Sequence, residues 1–187
     1  ETELFFPIIK KIEEISGLKY ADENKKSFRI IADHIKAATF ILAEGLEPSN
    51  IEQGYVLRRL IRRAIRYGKQ LSINDIFTFK VAQSVIDIYR DVYPELKEKK
   101  DFIEEQLIRE EEKFTNTLER GLKEFEKLNK KGISGKEAFD LYQTYGFPFE
   151  ITVELAKEKG VAVDEKEFNE EFKKHQELSR TASAGQF

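Results

Sequence analysis

Residues 55–68 read YVLRRLIRRAIRYG, and the spacing inside that stretch decides the fold class. Leu57, Leu60, Ile61, Ala64 and Ile65 recur at intervals of three and four, the period that returns side chains to one face of an α-helix. Arg58, Arg62 and Arg66 lie four apart and form a basic ridge, with Arg59 and Arg63 beside them. Just upstream, LEPSN at 46–50 is a turn in which Ser49 or Asn50 can accept hydrogen bonds from the free backbone N–H groups of the first helical turn. Gly68 is the expected stop.

The same period extends outward. Leu4, Phe5, Ile8, Ile9, Ile12 and Ile15 mark a first short helix that ends at Gly17. Phe28, Ile31, Ile35, Ala38 and Leu42 mark a second, with Ile30, Ala37 and Ile41 adding a further apolar side, so this helix is expected to be buried on more than one face. A fourth is expected over 76–93, broken by Pro94. From Glu95 to Lys130 no proline intervenes, and Ile103, Leu107, Phe114, Leu118, Leu122, Phe125 and Leu128 keep the spacing of one long helix with a narrow seam. Gly121 and the polar gap at Glu110, Glu111 and Glu112 argue against its continuity.

Gly132, Ser134 and Gly135 read as a linker, followed by short helices over 136–145, 150–159 and 164–179. Asp164 and Glu167 have the spacing of a capping box, and the tail RTASAGQF is expected to fray or to run on into a further domain. No alternating strand pattern of useful length occurs. The sequence therefore predicts an all-α helical bundle with one long helix, residues 1–131, and a small C-terminal helical subdomain, residues 132–187.

With 187 residues, 40% of them hydrophobic and 36% charged, the chain can bury a core while keeping a large solvated surface. It has no cysteine, and its two histidines, His34 and His175, stand far apart, so neither a disulfide framework nor a clustered metal site is expected. No apolar run reaches membrane-spanning length and the start lacks the order of a signal peptide, which reads as a cytoplasmic protein without a membrane partner. The glutamate start and the absence of methionine read as a piece of a larger chain.

Catalytic signatures are missing. There is no Gly-rich phosphate loop, no HExxH and no GxSxG, and the abundant acidic pairs read as solvated surface, so no catalytic residue is assigned. Asp33 and His34 read as a satisfied structural pair rather than an acid/base couple. The basic ridge is the strongest signal: six cations and no acid lie between Arg58 and Lys69 in a chain of net charge −3. Guanidinium groups present a planar fork suited to phosphate oxygens, and four such contacts imply a log–log salt slope on the order of −3 to −4. From pattern alone, pairing of these arginines with the acidic long helix is an equally good reading. A non-catalytic protein-interaction domain is the alternative function.

Two blocks then carry a resemblance. RIIADHIKAATFILAEGLEPSNIEQGYVLRRLIRRAIR at 29–66 closely resembles the segment of alanyl-tRNA synthetases that follows their class II catalytic motifs, and LYQTYGFPFEIT at 141–152 resembles the family's LYDTYGFP signature. The opening ETELFFPIIKKIEEISGLKY and the closing ELSRTASAGQF are similar to its flanking sequence, so the likeness spans the chain.

The resemblance implies a tRNA-recognition segment of an alanine–tRNA ligase, partnered by the acceptor stem of tRNA(Ala) and by catalytic and editing domains elsewhere in the parent enzyme. It implies ATP and magnesium for that parent and leaves room for zinc in its editing region. It implies no cofactor and no aminoacylation activity for this segment alone. Asn50 and Gln143 fall on the two family positions thought to reach a G·U wobble pair from the minor-groove side, the second being an aspartate in the family. With them, Arg58, Arg59, Arg62, Arg63, Arg66 and Lys69 make up the expected RNA-binding set. Tyr142, Tyr145, Phe147 and Phe149 are expected to pack in the core, because a duplex stem offers few free base faces.

Overall fold

The computed structural model describes residues 3–128 and 131–184, with side chains through residue 178. Nine helices occur among the described residues: α1 Phe6–Ser16, α2 Lys25–Ala43, α3 Glu52–Gln70, α4 Thr78–Tyr89, α5 Pro94–Glu98, α6 Lys100–Lys127, α7 Gly135–Tyr145, α8 Phe149–Glu158 and α9 Glu165–Ala184. The all-α expectation holds. The only pairing of strand type among these residues is an isolated parallel bridge between Ile133 and Val163.

The chain divides into two compact units, Glu1–Thr115 and Asn116–Phe187. This boundary falls inside α6, whereas the sequence pattern places its break at the glycines from 132 onward.

In the first unit, α2 packs principally on α3, with α1 and α4 closing over α2. Ile8, Ile12, Phe28, Ile31, Ile35, Leu42, Leu57, Ile61, Val81 and Val85 are fully buried, which is the apolar stripe of each helix turned inward. Three boundaries differ from the sequence reading. Gly68 does not stop α3, which runs to Gln70; a Cβ at Gly68 would lie 2.5 Å from the ring of Phe77, so the glycine serves close approach rather than termination. The fourth helix is shorter than expected, and Pro94 occupies the first turn of α5, where its missing N–H costs nothing. The long helix divides at Lys99 into α5 and α6.

In the second unit, Gly121 lies within α6 because a Cβ there would meet the Phe147 ring at 2.3 Å. The expected linker is ordered. Ser134 caps α7 in a capping box with Glu137, Ile133 N–H donates to the Ala162 carbonyl at 3.0 Å, and Gly135 N–H donates to Glu167 at 2.6 Å. That last bond takes the carboxylate with which Glu167 was expected to complete a box at Asp164, whose own carboxylate does accept from Glu167 N–H at 2.9 Å. Phe149 stacks on Phe168 at 4.1 Å, Tyr142 meets Phe168 and Phe172 edge-on, and Phe147 is fully buried. Helix α9 extends through most of the tail expected to fray; residues 185–187 of that tail, and residues 129–130 of the expected long helix, lie outside the described residues.

Candidate nucleic-acid interface

The turn at 46–51 is built on the first turn of α3. Ser49 N–H donates to the Gly54 carbonyl at 3.0 Å, Ser49 Oγ–H donates to the Ile51 carbonyl at 3.0 Å, and a Cβ on Gly54 would fall 2.1 Å from Ser49 Oγ. Glycine at 54 is what lets the turn close so tightly. The N-cap of α3 is Ile51, with no side-chain cap, so neither Ser49 nor Asn50 plays the capping role that the sequence suggested. The reason is local. Asn50 Oδ1 accepts from Arg58 instead, and this leaves the Asn50 amide exposed at the tip of the turn.

The arginine ridge is largely internal. Arg58 sends one terminal nitrogen to Asn50 Oδ1 and the other to the Pro48 carbonyl at 3.2 Å, and its Nε lies 3.3 Å from Glu110 Oε1. Arg62 donates through Nε to the same Glu110 oxygen at 2.6 Å and covers the Phe114 ring at 5.0 Å. Arg66 is buried, its guanidinium 5.0 Å from the centre of the Tyr67 ring. Arg59 is half-buried, and Lys69, also half-buried, donates to Asn74 at 3.1 Å. Pairing with the acidic long helix, one of the two readings left open by the pattern, is therefore what holds Arg58 and Arg62. The price of placing Glu110 at 3% exposure is met by two guanidiniums at once.

Arg63 lies 2.7 Å from His34 Nε2. A guanidinium can only donate, so Nε2 is the acceptor and the ring proton sits on Nδ1, facing Asp33 Oδ2 at 3.0 Å. Asp33 and His34 thus form part of a structural relay that ends on α3.

Sequence reasoning missed the two carboxylates that organise the first unit. Glu110 is one; Glu111, also buried, caps α4 from α6. It accepts from Phe77 N–H at 3.2 Å, Thr78 N–H at 2.9 Å and the Thr78 hydroxyl. Burial pushes its carboxyl above the ordinary carboxylate range, with the Thr78 and Phe77 hydrogen bonds pulling the other way. The available signal was phase: Glu110 and Glu111 fall three and four residues after Leu107 and before Phe114, in register with the buried seam.

Gln143 is exposed on α7, in the second unit, while Asn50 belongs to the first. Among the described residues no group of three or more His, Asp or Glu side chains could hold a metal ion, and no helix is long and apolar enough to cross a membrane.

This helical chain, with an exposed amide on the turn that precedes an arginine-bearing helix, matches a family model along its whole length. The chain belongs to the tRNA synthetases of class II (A), whose family model it matches over residues 1–187. Among individual proteins it is similar to the alanine–tRNA ligase of Borrelia hermsii, 54% identical over 188 residues, covering 96% of this chain and 32% of that protein. The alanine–tRNA ligases of Thermotoga maritima and Geobacillus thermodenitrificans are 47% and 48% identical over 97% of this chain, which corresponds to 22% of each of those proteins. The chain thus spans less than a third of the length of these relatives.

Proposed function

We propose that this chain is the part of an alanine–tRNA ligase that identifies tRNA(Ala), reading the G·U wobble pair of the acceptor stem from the minor groove. Asn50 carries the reading. It is an exposed amide with both donor and acceptor capacity, fixed at the tip of a turn, and A-form RNA displays base edges and 2′-hydroxyls in its shallow minor groove. The guanine of a wobble pair leaves its exocyclic amine unpaired there, and an amide oxygen can accept from it. Gln143 supplies a second carbonyl acceptor without the charge of the family's aspartate. Alanine, ATP and magnesium would bind in other parts of the parent enzyme, any zinc in its editing region, and the work would take place in the cytoplasm; this segment alone would not aminoacylate.

The arginines support the site rather than form a free phosphate clamp. Removing them is therefore a poor test of RNA binding, because Arg58→Ala or Arg62→Ala also strips a buried carboxylate of its partner. The better test titrates the chain with stem duplexes carrying G·U or G·C. Asn50→Ala is expected to remove about 0.5–1.5 kcal/mol of preference for G·U, a two- to tenfold effect, with little change toward G·C. The salt slope is expected at about −2 or shallower, since three of the ridge arginines are held internally. Equal affinity of the wild-type chain for both duplexes sinks the proposal.

A further inference from the structure

We propose that Arg58 is a positioning residue for the RNA contact: set between the buried carboxylate of Glu110 and the Asn50 amide, it holds that amide in the orientation that distinguishes a wobble pair. The inference rests on the reading of Asn50 given above and adds a determinant of its specificity.

An exposed asparagine at the tip of a turn is free to rotate, and its amide presents donor and acceptor with equal ease. Arg58 removes that freedom. A guanidinium has five N–H donors and no acceptor, so it can face only the oxygen side of the amide. Its contact with Oδ1 sends Nδ2 to the opposite side and leaves Oδ1 with one lone pair for a further donor. The guanidinium also donates to the Pro48 carbonyl at 3.2 Å, and its Nε stands 3.3 Å from Glu110 Oε1, an ion-pair contact in which the Nε–H makes no hydrogen bond. Glu110 in turn is held by Arg62 at 2.6 Å.

A line of contacts thus runs from a buried carboxylate on α6, by an ion pair to a guanidinium on α3, and by a hydrogen bond to an amide on the turn. The turn backbone is held by the Ser49–Gly54 bond as well as by the Pro48 contact, so loss of Arg58 would free the side chain while one of the two backbone ties remains. Lysine cannot replace it. One ammonium can stay near Glu110, but it lacks the planar fork that reaches Asn50, Pro48 and Glu110 together.

The test compares the wild-type chain with Arg58→Lys, Glu110→Gln and Asn50→Ala in two measurements. The first is binding to G·U and G·C stem duplexes at two salt concentrations. The second, made without RNA, is the NMR order of the Asn50 side-chain amide. Arg58→Lys keeps a cation opposite Glu110, and a thermal melt verifies that each variant is folded. The expected result is that Arg58→Lys lowers the G·U preference roughly two- to tenfold, to the level of Asn50→Ala, leaves G·C affinity and salt slope in place, and loosens the Asn50 amide. Glu110→Gln should follow in the same direction with a smaller loss.

A preference that survives Arg58→Lys overturns the inference, as does an equal weakening toward both duplexes with the salt slope reduced by about one, the mark of a plain phosphate contact. A wild-type chain without preference overturns the reading of Asn50 and this inference with it. The RNA-free amide measurement separates the cases: a loosened amide places the fault in the reading, an unchanged one in the positioning.

Discussion

Glu110→Ala removes the carboxylate on which two guanidiniums converge, and its cost can be worked from the geometry. Glu110 is 3% exposed, Arg62 and Arg58 side chains are 11% and 17% exposed, and the two nitrogen–oxygen distances are 2.6 and 3.3 Å. Deleting one partner of a buried pair costs about 3–5 kcal/mol, because the charge left behind has lost the water it would need. Two features pull the expectation toward the lower end. Arg58 keeps its contacts with Asn50 and Pro48, and Arg62 keeps the face of the Phe114 ring, which is worth about 0.5–2 kcal/mol. A loss of about 3 kcal/mol with an m-value of roughly 2 kcal/mol per molar moves the urea midpoint down by about 1.5 M. The assay is urea unfolding of the Glu1–Thr115 unit, followed by the fluorescence of its tyrosines, Tyr67 and Tyr89 among them, at neutral pH. An unchanged midpoint would refute the reasoning, since it would mean that the arginines are not held by this carboxylate. The RNA measurement gives an independent check: with Glu110 gone, the released guanidiniums should steepen the salt slope by about one to two if the variant remains folded.

Two further outcomes test the same packing logic. Glu111 has its carboxyl raised by burial, so its contribution to stability is fully present below the unfolded value and is lost as pH rises through the higher folded one. Glu111→Gln keeps an acceptor for Thr78 and removes the charge, and the stability of the wild type relative to this variant should therefore fall as pH rises above the ordinary glutamate value of about 4; urea midpoints that stay parallel as pH rises would count against the assignment. Gly68→Ala places a methyl 2.5 Å from the Phe77 ring, which is 2% exposed. Overpacking of about 1–3 kcal/mol should outweigh the roughly 1 kcal/mol gained in helix propensity, and a raised melting temperature would show that the ring can yield.

How much of this was legible in the sequence varies with the range of the interaction. The helices α1, α2, α3 and α7 follow directly from three- and four-residue periods, because apolar side chains at those spacings share a face. Glycines were harder. Gly17 does end α1 in the left-handed conformation, with φ 71°, yet Gly68 and Gly121 sit inside helices because Phe77 and Phe147 come against them, and the sequence does not announce which glycine is for turning and which for contact. The caps show the same division. Ser134 and Glu137 are three residues apart, a local box that the reading of 132–135 as a linker passes over, whereas the cap of α4 comes from Glu111, 33 residues from Thr78, and no local pattern carries it.

The candidate site splits along the same line. Asn50 and Gln143 are singled out only through likeness to a family, since an asparagine in a turn and a glutamine on a helix surface look ordinary by themselves. The arginines stood out in the sequence, yet the pattern could not say where their charge is spent, because half of the answer lies on a helix some 48 residues away.

The consequence reaches beyond this one helix. A cation-rich face in an acidic chain is not evidence of a free positive surface, since the acids that neutralise it can be buried beneath it, as Glu110 is. Charge so compensated adds little to long-range attraction of RNA but a good deal to rigidity, because each ion pair locks a donor fork in place. Two stems that differ by a single pair release the same counterions, so the salt term cancels from their ratio. Whatever preference the chain has for one over the other must then come from short, oriented hydrogen bonds, and those are worth having only on an amide that cannot turn away. On the proposed reading the arginines of this fold would act on recognition by holding the reader still, and the phosphates would be left to groups outside the ridge.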